Sequence, residues 1–129
     1  MGECIFCQIV KKEIEAPIIF EDSHCMVIPD KFPTYSGQCL VILKEHVPYF
    51  IKMEDGSYHH IFMIARKIAQ VIDAQYRPEK VCLVVEGFEV PHVHIKLYPV
   101  PDKHLVLSGG HVVDDKTLQE VADTLRNNL

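Results

Sequence analysis

The sequence predicts a single α+β domain with a mainly antiparallel sheet, a long central helix and a C-terminal helix. Three observations carry that expectation. Short apolar runs bounded by turn residues recur from Ile18 onward, which is how strands read. Between about Asp55 and Gln75, apolar residues return at three- and four-residue spacing, giving one stripe of a helix. From His92 to Leu97, polar and apolar residues alternate strictly, the period of a strand with one buried face. The chain has 129 residues and is 48% hydrophobic, which suits one domain with a single core. No repeat, linker or low-complexity tract divides it.

Cys4-Ile5-Phe6-Cys7 is a C-x-x-C. Two thiolates at this spacing share a metal readily, but the motif also serves redox chemistry in a βαβ context, absent here, or simply supplies two small buried residues. Gln8 to Lys12 reads as a short helix, and Lys11-Lys12-Glu13 as an exposed turn. Ile18 to Glu21 is a strand, Asp22-Ser23 a turn, and Cys25 to Ile28 a second strand, so the pair forms a hairpin. Pro29 to Gly37, with two prolines and a glycine, is a loop. Within it Asp30 either bonds its own backbone, the commoner role beside proline, or binds a ligand hydroxyl pair. Gln38 to Leu43 is a continuous apolar strand and is placed centrally in the sheet. Lys44-Glu45-His46 follows it.

In the long helix Ile61, Ile64, Ala65, Ile68, Ala69 and Ile72 form the stripe, with Arg66, Lys67, Gln70 and Asp73 off it. His59 and His60 read as surface residues. Arg77-Pro78 ends the helix. Val81 to Val85 is very apolar and is placed centrally as well. Glu86-Gly87-Phe88-Glu89 is a turn into the histidine strand. Beyond Pro99 the chain loosens through Pro101, Ser108, Gly109 and Gly110. A last helix runs from Asp114 or Asp115 to Asn127, with Leu118, Val121, Ala122 and Leu125 as its apolar face and acidic residues suited to its N-terminal dipole.

On the histidine strand His92, His94 and Lys96 point one way, roughly 6.6 Å apart, and Val93, Ile95 and Leu97 point into a core. Pro91 and Pro99 bracket it. The row is either a solvent-exposed polar face or a reactive ledge with histidine as ligand, base or nucleophile. Eight histidines in so short a chain lean toward metal or catalytic work. A net charge of −5 gives no electrostatic footprint for duplex nucleic acid, though it is compatible with a small anion held locally. No apolar run approaches the roughly 20 residues that span a bilayer. Glu3 and Cys4 come early and no basic region precedes them, so no signal peptide is expected. Five cysteines is an odd count, which favours reduced thiols in the cytoplasm. Cys25, Cys39 and Cys82 sit in apolar strands and read as inert core thiols.

Taken together, Cys4-Ile5-Phe6-Cys7, the Asp30-x-x-Pro33 and Gly37 spacing, Leu40-Val41-Ile42 with Lys44-x-His46, and His92-x-His94 resemble the histidine triad (HIT) superfamily. The pieces stand in the family's order from about Glu3 to Pro99. The resemblance implies a HIT-like fold with a core over about residues 3–100 and a C-terminal helix over about 114–127, usually a homodimer. It implies a nucleotide hydrolase or nucleotidyltransferase acting at the α-phosphate, with His94 as the nucleophile that forms a covalent nucleotidyl-histidine. Such chemistry suits imidazole, a good nucleophile near neutral pH and a good leaving group once phosphorylated, provided its second nitrogen is fixed as a donor. Zinc-bearing members and the related galactose-1-phosphate uridylyltransferases imply Cys4, Cys7, His46 and His92 as ligands of one structural Zn2+ per chain. The family also implies Asp30 on the ribose hydroxyls and an apolar slot for the base at Phe6, Ile9, Ile28 and Leu40, positions that also read as ordinary core. The implied partner is a purine nucleotide, or a nucleoside phosphoramidate or phosphate ester.

Two positions depart from the pattern. Lys96 replaces the third histidine, where relatives with glutamine are nucleotidyltransferases. A lysine there donates hydrogen bonds and neutralises charge but shuttles protons poorly near neutral pH. Glu86 to Val90 replaces the polar glycine-glutamine-serine loop of many HIT hydrolases, and is shorter and acidic. The alternative reading is therefore a zinc-stabilised nucleotide-binding module with little or no turnover.

Overall fold

Apolar strands paired edge to edge bury both backbone polarity and side chains, and the chain does this with five strands in the order β1-β2-β3-β5-β4, every pair antiparallel. The computed structural model describes residues 4–129; Glu3 lies outside the described residues. The strands are β1 (Phe20–Glu21), β2 (Cys25–Pro29), β3 (Cys39–Leu43), β4 (Lys80–Val84) and β5 (His94–Val100). The helices are α1 (Ile5–Val10), α2 (Asp55–Tyr76) and α3 (Asp115–Arg126). The α+β class, the antiparallel sheet and both long helices follow the sequence reading.

Register decides which side chains share a face, because directly opposed residues point the same way. Ile28↔Leu40 and Met26↔Ile42 pair across β2 and β3, and Leu40↔Lys96 and Ile42↔His94 across β3 and β5. His94 and Lys96 therefore stand on the same face as Met26, Ile28, Leu40 and Ile42. The opposite face carries Cys25, Val27, Val41, Ile95 and Leu97, which pack with Ile61, Ala65, Ile68 and Ile72 of α2 and Ala122 and Leu125 of α3. That is the main core. On the first face α1 lays Phe6 and Ile9 over Met26, Ile28, Leu40 and Ile42, forming a second, smaller apolar cluster. The sheet thus separates the stabilising core from the face that bears His94.

Caps account for the ends of the helices. The Asp114 carboxylate accepts from Thr117 N–H at 2.8 Å and starts α3. At the end of α2, Arg77 turns left-handed with φ 49°, because Pro78 disfavours a helical conformation before it. Gly37 has φ +85°, and a Cβ there would stand 2.8 Å from the Tyr76 ring, so this turn admits glycine only. Between β5 and α3 the chain returns along the Pro29 to Gly37 loop. Val113 N–H donates to Lys31 O at 3.3 Å, and Tyr35 Oη accepts from Val106 N–H at 2.8 Å.

Several expectations need correction. Val81 to Val85 suggested a central strand, but β4 lies at the sheet edge and leaves Leu83 42% exposed. Apolar content measures burial in any partner and does not specify a position within one sheet. The first strand is shorter than Ile18 to Glu21, and α1 starts at Ile5, three residues ahead of Gln8, because Cys4 caps it. The histidine strand starts at His94 and not His92, and Pro99 lies inside it. Proline fits there because Val100 O accepts from Glu79 N–H on the β4 side, so position 99 faces the other side, where β3 has ended at Cys39. His59 is exposed as read, but His60 is held by Asp22. No helix among the described residues is long and apolar enough to cross a membrane.

Candidate active site and metal centre

β3 and β5 position the histidines, and their carbonyls fix the tautomers. His94 Nδ1 lies 2.6 Å from His92 O, and a carbonyl only accepts, so Nδ1 carries the proton. The Nε2 lone pair is left free. His92 Nε2 lies 2.6 Å from Leu43 O and is a donor by the same logic, which leaves the lone pair on Nδ1. Both rings are buried, at 0% exposure for His92 and 3% for His94, so the exposed polar face expected as one alternative is ruled out. Phe6 meets both edge-on, 4.6 Å from His94 and 5.8 Å from His92 between ring centroids. Burial pushes both imidazoles below their ordinary range; for His94 the hydrogen bond to His92 opposes this and the nearby Lys96 charge adds to it. Both rings are therefore biased toward the neutral, lone-pair-bearing form.

His92 stands just ahead of β5, off the pleat, and this turns its Nδ1 away from His94. It points at Cys4 Sγ at 3.3 Å, Cys7 Sγ at 3.6 Å and His46 Nδ1 at 3.0 Å, and Cys7 Sγ lies 3.3 Å from His46 Nδ1. All these ligand atoms fall within 4.8 Å of one another. A tetrahedral ion with bonds of about 2.0–2.3 Å needs ligand separations of roughly 3.3–3.8 Å, which these nearly match. Two soft sulfurs and two neutral imidazole nitrogens are a donor set that fits zinc. The four residues come from α1, the end of β3 and the start of β5, so sequence positions far apart converge here.

Asp30 is 8% exposed and already engaged. Oδ1 accepts from Phe32 N–H at 2.9 Å and Oδ2 from Gln38 Nε2 at 2.8 Å, while Gln38 Oε1 accepts from Thr34 N–H at 3.0 Å. The backbone role expected of Asp30 is thus present, with acceptor capacity remaining on both oxygens. Sequence reasoning missed Gln38, since a glutamine opening an apolar strand carries no distinctive signal. Phe6, Ile9, Ile28 and Leu40 are buried together in one apolar cluster where α1 packs on the sheet. Asp30 borders a cavity of about 340 Å³ with Gln38, Tyr35 and Tyr76, and Ile9 borders another of about 520 Å³ with Ile14 and Met26. Lys96 is half-buried beside His94.

A further cluster also escaped the sequence. Asp22 Oδ1 accepts from His24 and Cys25 N–H, both at 2.8 Å, and Oδ2 lies 2.7 Å from His60 Nε2. This pins the β1–β2 turn to α2. Cys25 beside it is buried, and burial pushes its thiol up to about 12, as befits an inert core residue. Cys39 is buried too, whereas Cys82 is only half-buried.

Residues 11–101 match the HIT domain family, and the chain belongs to it. Among curated proteins it is 32% identical over 100 residues to a HIT-like protein of Methanocaldococcus jannaschii, covering 74% of this chain and 78% of that one. It is 30% identical over 112 residues to an adenosine 5′-monophosphoramidase of Schizosaccharomyces pombe, covering 83% of this chain and 81% of that one. Among solved structures, a Zn-bound histidine triad family protein from Mycobacterium smegmatis superimposes with a TM-score of 0.81 at 23% identity, covering 97% and 91%. A HIT-like protein from Bartonella henselae does so with a TM-score of 0.87 at 19% identity, covering 97% and 95%. At these identities the structural matches speak to the fold alone.

Proposed function

We propose that this chain binds a purine nucleotide carrying a phosphoramidate or phosphate-ester group, and cleaves or transfers it at the α-phosphate through a covalent nucleotidyl-His94. The observation that carries the reading is the 2.6 Å contact from His94 Nδ1 to His92 O, which leaves Nε2 as a buried lone pair. Nε2 attacks phosphorus, the bond to the leaving group breaks, and the adduct passes to water or another acceptor. Lys96 neutralises charge on the phosphoryl oxygens. Asp30 accepts from the ribose hydroxyls, and Phe6, Ile9, Ile28 and Leu40 seat the base. The 30% identity to an adenosine 5′-monophosphoramidase supports the substrate class.

Cys4, Cys7, His46 and His92 would hold one zinc ion per chain. The set is closed, so the ion would supply folding energy and no open coordination position. His92 would then be fixed from two sides, and its carbonyl orients His94. The apolar edge strand β4 supports a homodimer, and the thiol chemistry supports a cytoplasmic setting. Residues 1–129 are read as a single domain.

The test is AMP release from adenosine 5′-phosphoramidate by wild type and His94→Ala, with AMP binding measured alongside. Release by wild type only is expected. Binding of AMP by both proteins with no release by either would favour the second reading, a zinc-stabilised binding module. The charged Lys96 and the acidic loop of Glu86 and Glu89 support that alternative.

A further inference from the structure

Among the described residues, the Tyr98 hydroxyl has no hydrogen-bond partner. Tyr98 follows His94 and Lys96 on the face of β5 that bears the site. The register with β4 runs unbroken from Val84↔Lys96 to Lys80↔Val100, while Ile95 and Leu97 enter the main core. Tyr98 is 2% exposed, and its ring meets that of Tyr35 edge-on, 6.2 Å between centroids. The Tyr35 hydroxyl is fully engaged, donating to His104 O at 3.2 Å and accepting from Val106 N–H at 2.8 Å. Every sealed side-chain oxygen and nitrogen among the described residues has a partner, so the Tyr98 hydroxyl keeps a path to solvent. A hydroxyl walled in on most sides and bonded to nothing in the protein is a donor available to a ligand.

The surroundings decide what this donor takes. Burial, and then the charges of Asp30, Glu86 and Glu89, push the phenol above its ordinary range, so it keeps its proton. Burial lowers the His94 imidazole, and the same Asp30 and Glu86 charges oppose that, so phenol and imidazole share one environment. Three carboxylates near the phenol repel an anion from it and leave a neutral oxygen as the acceptor. Gln38, whose Nε2 donates to Asp30 Oδ2 at 2.8 Å, comes alongside Tyr98, because Cys39 pairs with Leu97 in the register. A sugar hydroxyl here can donate to the Asp30 carboxylate and accept from the phenol at once. Resting on the Asp30 reading above, we infer that Tyr98 is a second ribose-recognising residue, its phenol donating to a ribose hydroxyl that donates in turn to Asp30, so that the site selects ribonucleotides over deoxyribonucleotides. A nucleotide lacking that hydroxyl leaves groups on two side chains unpaired, which is how a polar site rejects an analogue.

The experiment is calorimetric titration of wild type and Tyr98→Phe with AMP, 2′-deoxy-AMP and 3′-deoxy-AMP. Phenylalanine keeps the ring that meets Tyr35 and breaks no hydrogen bond of the free protein, so the melting temperature should stay that of wild type. Wild type should bind AMP roughly tenfold or more tightly than at least one of the deoxynucleotides. Tyr98→Phe should lose about three- to tenfold in AMP affinity, the span of one neutral hydrogen bond. It should lose nothing with the deoxynucleotide that lacks the contacted hydroxyl, and that nucleotide identifies the hydroxyl. Unchanged AMP affinity in Tyr98→Phe overturns the inference, and weaker AMP binding by Asp30→Ala in the same series keeps the Asp30 reading standing. An equal loss with all three nucleotides also overturns it, because the phenol then acts away from the ribose. Wild type that binds all three alike removes the ribose contact as a whole, Asp30 and Tyr98 together.

Discussion

At the scale of single residues, two backbone carbonyls set the chemistry. Leu43 O and His92 O each accept an imidazole N–H, which leaves the His92 lone pair on the nitrogen facing the Cys4, Cys7 and His46 cluster and the His94 lone pair on Nε2, buried on the side of the sheet that carries Phe6. The alternation from His92 to Leu97 made the histidines legible in the sequence, because spacing along a strand is local information. Their burial was not legible, since it depends on Phe6 arriving from a separate helix. Asp30 shows the same limit. Its turn role was foreseen, but its tie to Gln38 depends on how the loop closes. Asp30→Ala should weaken AMP binding at least tenfold in calorimetry, and should also cost about 1–3 kcal/mol of stability, because Phe32 N–H and Gln38 Nε2 lose their acceptor. Unchanged affinity would remove Asp30 from the ribose site.

At the scale of elements, the two long helices were read closely because their periodicity and caps are written in the chain, as with Asp114 and α3. Strand order was not, because β4 and β3 are similarly apolar yet lie at the edge and the centre of the sheet. The join between the β1–β2 turn and α2 depends on Asp22 and His60. Burial works against ionising Asp22, but the amides of His24 and Cys25 and the His60 imidazole outweigh it, and the carboxyl sits below its ordinary value. A depressed folded value means this contribution is present above the unfolded carboxylate value of about 3.9, and is lost as pH falls through the lower folded value. Asp22→Asn should therefore lower stability by about 1 kcal/mol near neutral pH, the partners being partly exposed, with the gap from wild type closing in strong acid. Denaturant titrations across pH check this, and a gap constant with pH would contradict it. In the main core, Ile68→Ala should cost about 2–5 kcal/mol by leaving a cavity between α2 and the sheet.

At the scale of the whole molecule, the sheet has its main core on one face and the histidines on the other. The Cys4, Cys7, His46 and His92 cluster joins α1 to the start of β5; on the zinc reading proposed above, Cys4→Ser should lower metal content from one zinc per chain toward none and reduce the melting temperature sharply. Elemental analysis and calorimetry read both, and an unchanged melting temperature would argue against a structural ion. The exposed edge of β4 with Leu83 should pair two chains in solution. Light scattering should give twice the chain mass for wild type and the single mass for Leu83→Lys. The central claim, nucleophilic attack by His94, is tested most directly by the mass of the intact protein, quenched seconds after mixing with adenosine 5′-phosphoramidate and followed by peptide mapping. An added AMP mass on the peptide holding His94, absent in His94→Ala, is the predicted result. An adduct elsewhere, or AMP release that persists in His94→Ala, would contradict it.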